Sequence, residues 1–195
     1  MRNYLAKLTS NVFNPFLVSF VVIVLLAFES TTTIVGAFKW LAISLVLSVL
    51  PVFIFVVFMV RMKKLDGIFV NPRRQRNKIY VLATALAVIG VTVLYFINAP
   101  KLLFVTFVTG LTAIIIFMAI NLYWKISLHT GFATAAAVIL IIVYGAIAAW
   151  SILIVPLVGW ARFNMRLHSW QQVVSGALLS AGTAVLTFHL FDMIR

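Results

Sequence analysis

The sequence lacks cysteine altogether, and its 195 residues include only three acids, Glu29, Asp66 and Asp192. Without thiols the chain has no disulfides, thiolate nucleophiles, iron–sulfur clusters or thiolate zinc sites. So few carboxylates also disfavour paired-carboxylate hydrolysis and carboxylate cages for calcium or magnesium. We therefore predict no metal site and no cofactor.

Charge of either sign is scarce. Only 9% of the residues are charged, 65% are hydrophobic, and the mean hydropathy is +1.20. A soluble domain would have about a quarter charged residues. This composition predicts an integral, multi-pass protein of the cell membrane.

Apolar runs of about the 20 residues needed to cross a bilayer recur along the chain. They cover residues 12–28, 40–60, 79–97, 102–124, 131–161 and 169–191. The run 131–161 is too long for one span, so we divide it near Tyr144–Gly145 into two short or tilted helices. Pro51 and Pro156 are expected to kink the helices that contain them. The sequence predicts an all-α transmembrane helical bundle of six to seven spans, with residues 1–195 forming a single domain.

The polar segments alternate with the spans in a way that predicts which of them lie on the same side of the membrane. With seven spans, the N-terminus and the segments 61–78, 125–130 and 161–168 fall on one face, together with twelve of the fifteen Lys and Arg residues. The positive-inside rule places that face in the cytoplasm. The net charge of +12 then reflects topology and contact with anionic headgroups. Nucleic-acid binding is not expected, because no folded segment outside the membrane is long enough to present a basic surface.

Two of the three histidines lie on this face. His129 falls where an Ala- and Thr-rich helix is expected to begin, and the first N–H groups of a helix attract anions. His168 precedes Gln172 by four residues, so the two side chains share one helical face. The amide of Gln172 can therefore accept a hydrogen bond from the imidazole and fix which of its nitrogens carries the proton.

Three patterns surround these histidines. The last reads Ala161-Arg162, five residues, His168, three residues, Gln172-Val173, two residues, Gly176. The middle one reads Ile126-Ser127-Leu128-His129, and the first reads Lys64, six residues, Asn71-Pro72, then Arg73, Arg74 and Arg76. In order and spacing they resemble the motifs K-x6-R-P, P-S-G-H and S-R-x5-H-x3-D, usually followed by V-x2-G, of the type 2 phosphatidic acid phosphatases. That family shares its fold with the vanadium haloperoxidases.

The resemblance implies a metal-independent hydrolysis of phosphate esters. His168 would attack phosphorus and form a phosphohistidine. His129 would protonate the leaving alkoxide and then activate the water that releases phosphate. The residues that would hold the phosphate oxygens are Arg162, Ser127, Lys64 and either Arg73 or Arg76.

This chain departs from the family pattern at two places. Gln172 replaces the aspartate that accepts a hydrogen bond from the nucleophilic histidine, so the bond can survive while the negative charge is lost. We expect a lower rate, and we expect Asp66, the only acid on the motif face, to restore the charge. It would do so by approaching His168 or by ordering the nearby arginines. The first motif is degenerate, and the choice between Arg73 and Arg76 is open.

The leading hypothesis is therefore a lipid phosphatase whose substrate, a phosphate monoester or diphosphate, has its tail in the bilayer. Phosphatidic acid, phosphatidylglycerophosphate and polyprenyl diphosphates are the candidates by resemblance. A second hypothesis is a catalytically silent relative that binds anionic lipid or supports a partner membrane protein. A transporter is disfavoured because the predicted spans contain almost no charges. In a purely structural interpretation, the basic residues determine topology and His129 and Arg162 cap helix ends. The sequence does not predict the oligomeric state.

Overall fold

The computed structural model describes residues 1–69 and 72–194. Helices make up 82% of the structure, and the described residues include no strand. The all-α prediction is confirmed. The helices are α1 Arg2–Val12, α2 Pro15–Glu29, α3 Ile34–Leu47, α4 Val49–Arg61, α5 Arg73–Phe96, α6 Lys101–Tyr123, α7 Leu128–Tyr144, α8 Ile154–Asn164 and α9 Trp170–Leu190. A 3-10 helix, Gly145–Leu153, connects α7 to α8.

Five helical runs in the described chain are long and apolar enough to cross a membrane, and six if α1 and α2, bent by 44°, count as one span. The protein is therefore an integral membrane protein with several apolar helices. Six to seven spans were predicted because residues 131–161 were divided into two helices. The count of five or six treats residues 128–164 as one continuous run.

That long run folds back on itself near Gly145. Helix α7 ends at Tyr144, and Gly145 has a φ of +65°, a conformation that glycine adopts without strain. Beyond this turn the Ser151 hydroxyl donates to the carbonyl of Ala137 at 3.5 Å, and α8 packs against α7. The predicted division at Tyr144–Gly145 is confirmed. Pro156 lies in the first turn of α8, where a missing N–H disturbs the helix least.

The break near Pro51 comes slightly earlier than the proline itself. Helix α3 ends at Leu47 and α4 begins at Val49, because Pro51 has no N–H to donate to the carbonyl of Leu47 four residues before it. Helix α5 approaches that carbonyl closely at Gly90. A Cβ placed on Gly90 would lie 3.3 Å from the Leu47 oxygen, so this glycine allows α5 to pack beside the break.

Two predicted boundaries are wrong. The segment 61–78 is not a loop throughout, because α5 begins at Arg73 and continues through Lys78. Pro72 is well suited to precede a helix, and hydropathy cannot distinguish a polar helical turn from a loop. The first apolar run is not one helix from residue 12. The Oδ1 atom of Asn14 accepts a hydrogen bond from the N–H of Leu17 at 3.0 Å, so α2 starts at Pro15 and α1 is a separate helix.

Four helices end in the same kind of turn. The residue after the cap of α4, α5, α8 and α9 is not glycine, yet its φ is positive; these residues are Lys63, Asn98, Arg166 and Asp192. In each turn, the two N–H groups that follow the cap donate back to carbonyls of the last helical turn, which is the Schellman motif.

Contacts divide the chain into two compact units. The first contains Met1–Val22 and the chain from Lys125 onward, and its principal contact is between α7 and α9. The second is Ile23–Trp124, in which α5 packs along α6. Each unit is described by itself below, and the expectation of a single domain stays a prediction.

Candidate functional site

The connection between α8 and α9 sets the spacing between Arg162 and His168. Arg162 lies in the last turn of α8, and its carbonyl accepts the N–H of Leu167 at 3.1 Å. Arg166, with a φ of +55°, reverses the chain direction in the Schellman turn. His168 follows at once, and Ser169 is the N-cap of α9. The five residues between Arg162 and His168 are thus the length of one helix-ending turn.

The imidazole of His168 is oriented by Gln172. Its Nδ1 atom lies 3.0 Å from Gln172 Oε1, and the same oxygen accepts the backbone N–H of Ser169 at 3.3 Å. Ser169 Oγ in turn accepts the N–H of Gln172, which completes a capping box. An amide oxygen only accepts hydrogen bonds, so Nδ1 is the donor in this bond, and in the neutral imidazole the lone pair is then on Nε2. The hydrogen bond predicted from the four-residue spacing is therefore present, and His168 is 6% exposed.

The start of α7 is attached to the start of α9 by three hydrogen bonds. Lys125 Nζ donates to the carbonyl of Leu167 at 2.7 Å. The N–H of Ser127 donates to the carbonyl of Gln172 at 3.2 Å, and the Thr130 hydroxyl lies 3.2 Å from the carbonyl of Val173. Ser127 is also the N-cap of α7, since its Oγ accepts the N–H of Thr130. The segment that contains His129, which is 5% exposed, is thereby fixed to the segment that contains His168.

Gly176 makes this approach of the two helices possible. A Cβ at this position would lie 2.7 Å from the carbonyl oxygen of Ser127 and 3.0 Å from Thr130 Oγ1. Such distances are too short for any side chain, so α9 can contact the start of α7 here only through a glycine. The glycine that follows the third motif has a packing role in this chain.

Arg162 is 2% exposed, and one of its terminal nitrogens, Nη1, donates to the hydroxyl of Ser10 in α1 at 2.9 Å. Ser10 was not among the predicted site residues. It lies 152 residues from Arg162 in a polar segment without a motif, and no local signal indicates the contact. Lys125 was predicted only as a topology determinant, whereas its ammonium donates to the carbonyl of Leu167, one residue before His168.

The remaining predicted site residues belong to the other unit, Ile23–Trp124. Arg73 donates through Nη1 to the carbonyls of Asn121, at 3.0 Å, and Leu122. Asn121 donates back to the carbonyl of Arg73 at 3.2 Å. These bonds make Arg73 a cap on the C-terminal end of α6, which is a structural role. Arg76 is 3% exposed, and its guanidinium interacts electrostatically with the Tyr80 hydroxyl one turn along α5.

Lys64 and Asp66 are exposed. The backbone N–H of Asp66 donates to Gln75 Oε1 at 3.3 Å. Asn71, which falls within the first motif, lies outside the described residues. The suggested role of Asp66 beside His168 or among the arginines stays a prediction.

The donor set of the first unit is suited to an anion. It combines two buried imidazoles, a buried guanidinium, hydroxyl groups and the start of a helix, and within the described chain no group of three His, Cys, Asp or Glu residues could hold a metal ion. Comparisons with protein-family models, with characterised proteins and with solved structures found no match to this chain.

Proposed function

We propose that this protein is a membrane-embedded lipid phosphatase that resembles the type 2 phosphatidic acid phosphatases. The observation that carries the proposal is the set of three hydrogen bonds between residues 125–130 and 167–173. They hold together two segments that contain a histidine each, and His129, Arg162 and His168 are all buried in the same compact unit. Buried polar groups in a chain with so few polar residues favour a functional site.

In the first step, Nε2 of His168 attacks phosphorus. Gln172 supports this step because it holds the proton on Nδ1 and leaves the lone pair on Nε2. The N–P bond forms as the P–O bond to the lipid breaks, and protonated His129 gives its proton to the departing alkoxide. The products of this step are the dephosphorylated lipid and a phosphohistidine.

In the second step, water attacks the phosphohistidine while neutral His129 takes its proton. The N–P bond breaks, the electron pair returns to Nε2, and inorganic phosphate leaves. Arg162 stabilises the negative charge that develops on the phosphoryl oxygens in both steps, since guanidinium and phosphate form bidentate hydrogen bonds. The Ser127 hydroxyl of the same unit assists it. Lys64 and one of Arg73 and Arg76 are phosphate ligands only by the resemblance, and Arg73 is already bonded to the end of α6.

The substrate class follows from the position of the site in an apolar helical protein. A lipid headgroup is concentrated at the membrane surface while its chains stay in hydrocarbon. Phosphatidic acid, phosphatidylglycerophosphate and polyprenyl diphosphates are the candidate substrates. By the positive-inside rule, the excess of Lys and Arg in the predicted motif segments supports a cytoplasmic location of the site.

The experiment that tests the proposal is phosphate release from these lipids by the purified protein in detergent, with EDTA present. His168→Ala and His129→Ala are compared with His189→Ala, which removes an exposed histidine from the last turn of α9. We expect release by the parent and by His189→Ala, and none by the other two variants. Rapid quenching into alkali with a radioactive substrate should detect the phosphohistidine in the parent, because the N–P bond is stable in base and labile in acid.

Equal release by the parent and His168→Ala would refute the mechanism. Loss of activity when EDTA is added would refute the metal-independent chemistry. Absence of release from every lipid, with the protein still folded, would refute the enzymatic function.

Two observations favour a catalytically silent relative as the second candidate. Gln172 gives His168 a neutral partner, and Arg73 is engaged with the end of α6. Such a protein would bind vesicles that contain phosphatidic acid without releasing phosphate. Release that appears only in Gln172→Asp would identify this case.

A further inference from the structure

Ser10 is buried at the crossing of α1 and α8. Its hydroxyl accepts from Arg162 at 2.9 Å, and near the other end of α1 Asn164 Nδ2 donates to Asn3 Oδ1 at 3.2 Å. The two bonds are seven residues apart on α1 but only two apart on α8. Helix α1 therefore packs against the C-terminal part of α8, where Ser10 contacts Arg162 and Asn3 contacts Asn164.

This contact matters because an arginine side chain has many rotamers, and phosphate binding requires one orientation of the planar guanidinium. Arg162 lies in the last turn of α8, just before the turn that leads to His168. A hydroxyl bonded to Nη1 fixes the plane of the guanidinium from one side. Since both side chains are buried, water cannot replace this bond at low cost.

We propose that Ser10 is a positioning residue for Arg162, so that the separate N-terminal helix α1 is part of the phosphate-binding site. The inference rests on the proposed function, because it assumes that Arg162 holds phosphate. Ser10 itself does not touch the substrate. It acts by keeping the guanidinium in the orientation that a tetrahedral phosphate needs.

The test compares Ser10→Ala, Ser10→Thr and Ser19→Ala. Ser19→Ala is the matched control because it removes the same hydroxyl from the neighbouring helix α2. For Ser10→Ala we expect the KM for a lipid phosphate and the inhibition constant of inorganic phosphate to rise about tenfold, equivalent to about 1.4 kcal/mol. Ser10→Thr keeps the hydroxyl and should stay within about twofold of the parent for both constants. Ser19→Ala should match the parent.

The split between KM and kcat separates positioning from a loss of folded protein. A merely structural defect would reduce the active fraction, so the apparent kcat would fall while KM stayed constant. If Ser10→Ala has the same KM and the same phosphate inhibition constant as the parent, the proposal is overturned. So would equal losses in Ser10→Ala and Ser10→Thr, provided that both variants are folded.

Direct titration of inorganic phosphate into each variant distinguishes this inference from the proposed function. If the parent binds phosphate without hydrolysing any lipid, the phosphatase proposal fails. In that case weaker phosphate binding by Ser10→Ala still supports the role of Ser10, and unchanged binding overturns it. If the parent neither binds nor releases phosphate, both proposals are overturned.

Discussion

Replacing Gly176 by alanine tests the contact between α9 and the start of α7. The new Cβ would meet the carbonyl oxygen of Ser127 at 2.7 Å, so the two helices must separate by about 0.7 Å to reach the 3.4 Å of an ordinary contact. Overpacking of this kind destabilises by about 1–3 kcal/mol. This loss is partly offset by a stabilisation of about 1 kcal/mol, because alanine has a higher helix propensity than glycine in a helix interior. We expect Gly176→Ala to lower the free energy of unfolding and to reduce kcat, because Ser127 is two residues from His129.

Gly182→Ala is the matched control on the same helix, because a Cβ at Gly182 meets nothing within 4 Å. Both variants gain the same helix propensity, so the difference between their free energies of unfolding isolates the effect of the contact with Ser127. We expect Gly182→Ala to be about 0.5–1 kcal/mol more stable than the parent and Gly176→Ala to be about 1–3 kcal/mol less stable than Gly182→Ala. Unfolding of the three proteins in detergent micelles, followed by circular dichroism, measures these differences. Equal stability of the two variants would refute the close packing of α9 on the start of α7.

Two further predictions concern single side chains. Gln172→Ala removes the acceptor of His168 and half of a capping box, so the free energy of unfolding should fall by about 1 kcal/mol and kcat should fall with it. Gln172→Glu keeps the acceptor and adds a negative charge, so its kcat should exceed that of the parent; a Gln172→Ala variant with parent kcat would contradict the orienting role. Arg73→Ala should lower the free energy of unfolding by about 1–2 kcal/mol, because the carbonyls of Asn121 and Leu122 lose their donor. Unfolding measurements in detergent check this value, and parent stability in Arg73→Ala would contradict the capping role.

Hydropathy predicts most of this fold because each apolar run must satisfy its backbone hydrogen bonds within a helix. It fails where a helix is polar. Helix α1 and the first turns of α5 have too few apolar residues for a hydropathy signal, although they are helical. The break at Gly145 was predictable because a run of 31 apolar residues exceeds one span. The unit boundaries were not predictable, since they depend on which helices pack together.

Local spacing predicts the local part of the candidate site. The hydrogen bond between His168 and Gln172 was predicted from their four-residue spacing, but His168 precedes the N-cap Ser169, so the bond forms at the start of α9 and not along a helical face. The contacts made by Ser10 and Lys125 are tertiary, and a single sequence without periodicity around these residues holds no information about them. The use of Arg73 at the end of α6 could not be predicted for the same reason.

The four helix-ending turns at Lys63, Asn98, Arg166 and Asp192 have a practical consequence. At each turn the backbone has a φ between +51° and +56°, where a side chain costs about 1 kcal/mol relative to glycine. The cost is largest for the long side chains of Lys63 and Arg166, whereas Asn98 and Asp192 tolerate this conformation better because their side chains are short and polar. Glycine at Lys63, which is not a candidate site residue, would therefore raise heat tolerance in detergent.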